Sequence, residues 1–308
     1  MALIIPTMNR PSKLQELLFS ITRQTVSCGR IIVIDGAESA KPVIDNFHKK
    51  LPVEYFKSLM PGQIRQRNIG IDKLKAENRL VGFLDDDLVL EENAIEEMIF
   101  LWNSLDIQIA GIGFNIVNAP VHRHSKLKSF FCMDHIDMGR VLSSGMNTSI
   151  NNISTDMKTQ WLGGGYTVWR HEVLKEFPQK ALNTKWAVGE DIRFSYPIGK
   201  KYPLYVSGKA KVRHHHVYDQ ATPAKLYRYR GRKVAMAFVY FVLSHKELSV
   251  FACYWMLFFL AMGKCVKACI TGQKNGIDES VGLFYGFFES LFYVFGAIDI
   301  KNMLEDHS

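Results

Sequence analysis

LVGFLDDDLVLEE, residues 80–92, sets the frame for the whole chain. Leu80 to Leu84 reads as a buried strand, and it runs directly into Asp85, Asp86 and Asp87. Three adjacent carboxylates repel one another unless something compensates. One reading is a solvated turn with a helix N-cap, because Asp caps well and Glu91 and Glu92 suit a following first turn. The other is a divalent cation. Along an extended segment successive side chains alternate, which directs Asp85 and Asp87 to one side and Asp86 to the other. Two like-directed carboxylates at the carboxyl end of a strand can share one hard cation, and sharing it removes the repulsion.

The sequence around this strand alternates between short apolar runs and helical patterns. Ala2–Ile5 reads as a strand, followed by a helix over Pro11–Arg23 with Leu14, Leu17, Leu18 and Ile21 on one face. Arg30–Ile34 is a second strand, ending in Asp35-Gly36, then Ala40–Lys50 is helical and Val53–Phe56 is a short strand. Ile64–Lys75 and Asn93–Leu105 are helical on either side of the Leu80 strand, and Ile109–Phe114 is a further strand. Such alternation with short links predicts a mainly parallel α/β sheet flanked by helices. Ligands of these sheets bind beyond the carboxyl ends of the strands. Thr7–Arg10, Asp35-Gly36 and Asp85–Asp87 share that rim. No G-x-G-x-x-G follows a strand, which disfavours a dinucleotide-binding domain. From residue 115 to 160 the pattern loosens into polar sequence, either a variable loop over the binding face or a plain insertion. WLGGGYTVWRHEVL, 161–174, then sets three glycines before a helical pattern, for close backbone approach or for loop flexibility.

At 308 residues the chain is long enough for one large domain or a domain with an appendage. Its 47% hydrophobic and 12% aromatic content exclude a disordered protein. The charge of +8 suits an anionic partner. The five cysteines form no C-x-x-C pair and read as reduced thiols of a cytosolic protein, and ALIIPT after Met1 does not read as a signal peptide.

A second acidic stretch is WAVGEDIRFSYP, residues 186–197, with Glu190-Asp191 after a glycine. A carboxylate that takes a proton from a hydroxyl must be fixed and partly desolvated. Trp186, Phe194 and Tyr196 could supply that setting, while an N-cap pair with Arg193 is the simpler use. His214, His215 and His216 end another short strand, and alternation lets His214 and His216 face one way, so one of that pair is the better metal-ligand candidate.

The last ninety residues change character. Tyr227-Arg228-Tyr229-Arg230-Gly231-Arg232-Lys233 precedes Val234–Leu243, and Leu248–Gly263 then runs without a charge. Spanning a bilayer takes ~20 apolar residues, so this run is short. Phe284, Phe287, Phe288, Leu291, Phe292 and Phe295 follow helical spacing. An aromatic stripe beside basic residues reads as an interfacial helix, with Arg228, Arg230, Arg232 and Lys233 attracted to an anionic leaflet. The other use of such a tail is packing against the rest of the chain or against another subunit.

In their order, P-T-M-N-R, the strand ending in I-D-G, Q-R-N-I-G, F-L-D-D-D, G-G-G-Y-x-x-x-R, G-E-D-I-R-F-S and the late histidine resemble the inverting glycosyltransferases of family two, with the GT-A fold. The likeness implies a catalytic domain over residues 1–218 and a helical, membrane-associated tail over 219–308. It implies that Pro6, Thr7, Asn9 and Arg10 border the nucleotide and that Asp35 meets its base. Arg65 and Asn68 would lie beside the nucleotide or diphosphate, which also offers a reason for Gly70 to interrupt a helix. Asp85 and Asp87 match the D-x-D motif, Asp87 as direct metal ligand, Asp85 nearer the sugar or ribose, with Asp86 beside them on the donor side. Asp191 matches the catalytic base and Glu190 supports the acceptor pocket, while His214 or His216 completes the shell of Mn²⁺ or Mg²⁺. Relatives often carry a second acidic residue in the stretch where this chain has Ile34-Asp35-Gly36. The implied partners are a nucleotide-diphosphate sugar donor, a glycan or lipid-linked acceptor and an anionic membrane surface, at the cytoplasmic side of the cell membrane, with no nucleic acid. The alternatives are a nucleotidyltransferase on a related sheet, which should carry a glycine-rich, lysine-bearing loop after its first strand, and a non-catalytic membrane-bound scaffold.

Overall fold

The alternation of the first half is built as the sequence predicts. The computed structural model describes residues 1–105, 108–184, 188–215, 224–296 and 303–306. In chain order the elements are β1 (Ala2–Thr7), α1 (Pro11–Thr22), β2 (Arg30–Asp35), α2 (Lys41–Phe47), β3 (Val53–Lys57), α3 (Gln63–Asp72), β4 (Leu80–Leu84), β5 (Leu88–Leu90), α4 (Ala94–Ser104) and β6 (Gly111–Ile116). They continue with α5 (Lys126–Phe130), β7 (Met157–Thr159), β8 (Tyr166–Arg170), α6 (His171–Glu176), α7 (Glu190–Lys201) and β9 (Leu204–His214), then the long helices α8 (Ala224–Leu243), α9 (Val250–Thr271) and α10 (Lys274–Val294). The chain divides into two compact units, residues 1–122, 150–181 and 194–216 in the first, residues 123–149, 182–193 and 217–308 in the second.

The first unit is organised on one sheet, ordered β3-β2-β1-β4-β8-β6-β9-β5, with β7 paired to β9. β1 to β4 are mutually parallel. β6 and β9 share their direction, while β8, β5 and β7 run against it. The inner strands read as unbroken apolar runs because both faces are covered: Leu3–Ile5 and Ile31–Ile34 are fully buried. α1 turns Leu14, Leu17, Leu18 and Ile21 to that core, the face its spacing predicts. The chain passes from β1 to β2 to β3, then returns through α3 to place β4 on the other side of β1. In sheets of this kind such a reversal leaves a crevice at the carboxyl ends of the two strands, here β1 and β4, and that is the usual ligand position.

Gly70 owes its place in α3 to this packing. A methyl group there would stand 2.5 Å from Cγ2 of the buried Ile4. Gly70→Ala would gain about 1 kcal/mol of helix propensity, but overpacking typically costs about 1–3 kcal/mol. Urea unfolding is expected to show a net loss of about 1 kcal/mol. A gain would show that α3 can shift away from β1.

In the second unit α8, α9 and α10 share an apolar core built on Ala235, Met236, Val239, Met256, Leu257 and Leu283. Gly231, Gly282 and Gly286 let α8 and α10 approach so closely that a Cβ at any of them would meet the other helix's backbone. The basic cluster also makes ion pairs inside the unit, which the sequence does not suggest. Arg228 pairs with Asp278 at 2.6 Å, Arg232 with Glu289 at 2.5 Å, and the buried Lys233 with Asp306 at 2.9 Å. Arg230 lies over the Tyr227 ring. Arg228, Arg232 and Lys233 therefore take part in ion pairs within the unit, although the Arg228 side chain stays 58% exposed. Positions 228 and 232 share a helix face, and the carboxylates they meet lie fifty or more residues away. The uncharged run Leu248–Gly263 also extends further as a helix than it does as an apolar segment. α9 continues through Lys264 and Lys267 to Thr271, where Gly272 caps it with φ +69°. Among the described residues α9 is the helix long and apolar enough to cross a membrane.

Candidate active site

The candidate site grows from the turn between β4 and β5. Residues 86 and 87 form a turn, so the convergence of Asp85 and Asp87 comes from the turn and not from strand pleating. The Asp85 N–H donates to the Gly165 carbonyl at 2.8 Å. Gly165 has no substitute here, because a Cβ on it would overlap the Asp85 carboxyl group. β5 then pairs antiparallel with the end of β9, setting Leu88 opposite His214. That register delivers the imidazole: His214 Nε2 lies 2.9 Å from Asp87 Oδ1. Oxygens of Asp85 and Asp87 and a ring nitrogen of His214 all fall within 4.8 Å of one another.

Asp86 turns the other way, towards β1. Thr7 Oγ1 donates to it at 2.7 Å, and Arg10 bridges Asp86 and Asp87 at 3.3 Å to each. Burial pushes the Asp86 carboxyl up to about 6, against the pull of the Thr7 hydrogen bond and the Arg10 charge. Two carboxylates are thus directed to a shared point, while the third ties β4 to β1 across the crevice.

The structure brings Thr7, Arg10, Asp85, Asp86, Asp87 and His214 together. Pro6 is buried within β1, opposite Ile34. Asn9 takes the left-handed conformation at φ +55°, and its N–H donates to Ser39 Oγ. Asp35 is wholly buried, and its carboxylate accepts from the backbone of Ala37 and Ala40 at 2.9 and 2.7 Å, so it shapes the loop after β2. Arg65 reaches back to the Pro61 carbonyl, and Asn68 donates to Gln179 O at 2.9 Å. His216 and Trp186 lie outside the described residues. Glu190 and Asp191 form the first turn of α7, where the helix dipole favours carboxylates. Asp191 is exposed and Glu190 half-buried. Nearby Arg193 lies over the Tyr240 ring at 5.9 Å, its pKa lowered by burial and supported by the charges of Glu190, Tyr240 and Asp191.

Sequence reasoning passed over Arg67, a residue of the Q-R-N-I-G motif. It is 1% exposed, lies over the Phe83 ring at 5.5 Å and pairs with Asp85 at 3.0 Å, while its Nε has no hydrogen-bond partner. Gln63 donates to the same Asp85 oxygen at 2.5 Å. Gln63 and Arg67 are four apart on α3, so their shared face was a signal available in the sequence. Gln66 was also missed. It donates to the carbonyls of Thr7 and Ile34, at 2.8 and 2.7 Å, and locks the ends of β1 and β2.

The family described as glycosyl transferase family 2 matches residues 2–177, more than half of the chain. This chain belongs to glycosyl transferase family 2. As a family-2 glycosyltransferase it has a relative in Haemophilus influenzae, an uncharacterized glycosyltransferase, 25% identical over 132 residues that span 39% of this chain and 44% of that protein. The glycosyltransferase is also similar to solved structures. GalNAc-T7, solved with UDP, GalNAc and Mn²⁺, superposes with a TM-score of 0.60 at 16% identity, covering 96% of this chain and 57% of that one. The mannosyltransferase PcManGT from Pyrobaculum calidifontis gives 0.55 at 12% identity, covering 95% and 87%. TarS 1–349 from S. aureus gives 0.51 at 14% identity, covering 94% and 91%. At these identities the likeness is one of fold, and the fold is GT-A, as the sequence implied.

Proposed function

We propose that this glycosyltransferase is metal-dependent and inverting, and that it moves a sugar from a nucleotide-diphosphate donor to a glycan or lipid-linked acceptor at the cytoplasmic face of a membrane. The observation that carries the reading is the convergence of Asp85, Asp87 and His214 within 4.8 Å, beside Thr7 and Arg10 in the crevice between β1 and β4. Similar structures have been solved with UDP-GlcNAc, in TarS, and with GDP-Man and Mn²⁺, in PcManGT.

The donor set fits the metal. Two carboxylates and an imidazole suit Mn²⁺ or Mg²⁺, and their mutual repulsion at the site favours a cation. Asp87 and His214 would hold the ion, with Asp85 contributing from the sugar or ribose side. When bound, the ion neutralises charge on the diphosphate leaving group. Arg67 fixes Asp85 through a buried ion pair, so it is a positioning residue. Arg10, half-exposed and paired through Nη1 with Asp86 and Asp87, has further guanidinium N–H groups with which to meet a phosphate. Arg65 and Asn68 line the donor side of α3, and Pro6, Asn9 and Asp35 shape the loops that receive the nucleotide. Asp191 takes the proton of the acceptor hydroxyl, with Glu190 supporting the acceptor, and attack from the face opposite the leaving group inverts the anomeric carbon.

A thermal-shift series tests this. Mn²⁺ together with a nucleoside diphosphate is expected to raise Tm by about 5 °C or more, beyond the effect of either alone, as ligand at about 100 Kd stabilises by roughly 2.7 kcal/mol. The His214→Ala variant should lose most of that synergy. Equal shifts in EDTA and in Mn²⁺ would remove the metal from the reading.

A further inference from the structure

The insert between β6 and β7 carries a helix whose apolar side chains face outward from the second unit. On α5, Leu127 and Phe130 are 69% and 67% exposed. Ring contacts join this helix to α9: Phe131 stacks on Phe259 with centroids 4.0 Å apart, and Phe130 meets Trp255 edge-on at 6.1 Å. Trp255 Nε1 also donates to the Phe130 carbonyl at 3.3 Å. α9 itself exposes Phe251, Phe258, Met262, Val266 and Ile270, a single stripe that runs its full length at helical spacing. Its opposite side, with Cys253, Met256 and Leu257, is buried in the core of the unit. α10 adds the exposed row Tyr285, Phe288 and Phe292, continued by Phe295 at its C-cap. Soluble monomers rarely expose continuous apolar area on this scale, and such areas mark a protein or membrane contact.

The charges bordering this surface decide between those two partners. α5 contributes Lys126 and Lys128, α9 contributes Lys267 beside the paired Lys264, and neither helix has an acidic residue. The acidic residues of α10 are neutralised within the unit, Asp278 by Arg228, Glu279 by Lys264 and Glu289 by Arg232. Lys126, Lys128 and Lys267 have no ion pair among the described residues. A two-fold pairing of copies would set this cationic border against itself, whereas an anionic bilayer complements it. We infer that α5, the stripe of α9 and the outer row of α10 form one surface that lies on an anionic lipid bilayer, with α9 along the interface plane. This rests on the membrane placement proposed above and adds the insert helix α5 as a contact distinct from the tail.

Flotation of the full chain on phosphatidylcholine vesicles, with and without phosphatidylglycerol, tests the inference. The wild type should float with the anionic vesicles and remain behind with the neutral ones. Lys126→Glu/Lys128→Glu should lower the partition coefficient about tenfold or more, and Leu127→Ser should lower it several-fold. These side chains are exposed, so Tm and Mn²⁺-dependent nucleotide binding should stay at wild-type values. Phe251→Ser, on α9, should weaken flotation as well. If the α5 variants float like wild type while Phe251→Ser does not, α5 is no part of the surface and the inference fails, although the proposed activity stands. A wild type that ignores both vesicles and sediments as a dimer overturns it outright, because a second copy then covers the face. Vesicle binding without any Mn²⁺-dependent nucleotide binding would support the surface and defeat the proposed transfer activity.

Discussion

Replacing Asp87 with alanine is expected to abolish sugar transfer, to less than about 10⁻³ of the wild-type rate, and to remove the Mn²⁺ dependence of nucleotide binding. The carboxylate is 6% exposed and meets His214 at 2.9 Å and Arg10 at 3.3 Å. Its loss takes away one of two converging carboxylates, the imidazole's partner and part of what holds Arg10 over the crevice. Removing a single preorganised electrostatic contact from a transition state typically costs 10²–10³ in rate, and here several go at once. The fold should survive. The Asp87 carbonyl still accepts from the His215 N–H, and the variant relieves repulsion on the buried Asp86, whose carboxyl the Asp87 charge helps to raise. Calorimetry decides the matter, because unchanged Mn²⁺-dependent affinity in a folded Asp87→Ala protein would sink the metal assignment.

Asp191→Asn is expected to retain donor binding and to lose transfer by ~10²–10⁴-fold, the usual contribution of a general base. Asparagine preserves the shape of the side chain and its place in the first turn of α7, but it cannot accept the proton. The residues proposed to bind the donor, Asp85 and Asp87 among them, are untouched, so the nucleotide affinity measured by calorimetry should match wild type. Loss of turnover with intact affinity separates a missing base from a damaged site. Near-normal turnover at saturating donor would move the base elsewhere, with Glu190 the next candidate.

The tail shows where charge counting misleads. Arg228, Arg232 and Lys233 look in the sequence like a polybasic segment, yet each is paired with an acid of α10 or of residues 303–306. Pairing of this kind depends on which helix faces meet, and residue density does not report that. The aromatic pattern of α10 was legible only in part. Phe284 and Phe287 pack inward while Phe288, Phe292 and Phe295 face out, so one predicted stripe became two.

The sequence by itself determined the parallel half of the sheet and the position of the three aspartates at the end of its fourth strand. Strands covered on both faces write themselves as short apolar runs, and helices as 3.6-residue periods, so both signals lie within a few consecutive residues. Strands β5 and β7, at three residues each, left no comparable signal, and β8 lies in a stretch that the sequence reads as glycines before a helix, a pattern that α6 takes up only from His171. Only the tertiary structure decided which groups meet the aspartates. His214 arrives 127 residues after Asp87 through the β5–β9 register, and Arg67, not its neighbour Arg65, points from α3 to Asp85. Two residues along a helix are a rotation of about 200°. The choice between two nearby arginines was therefore made by the way α3 seats Gly70 on Ile4, a contact that exists only once β1 and α3 have packed.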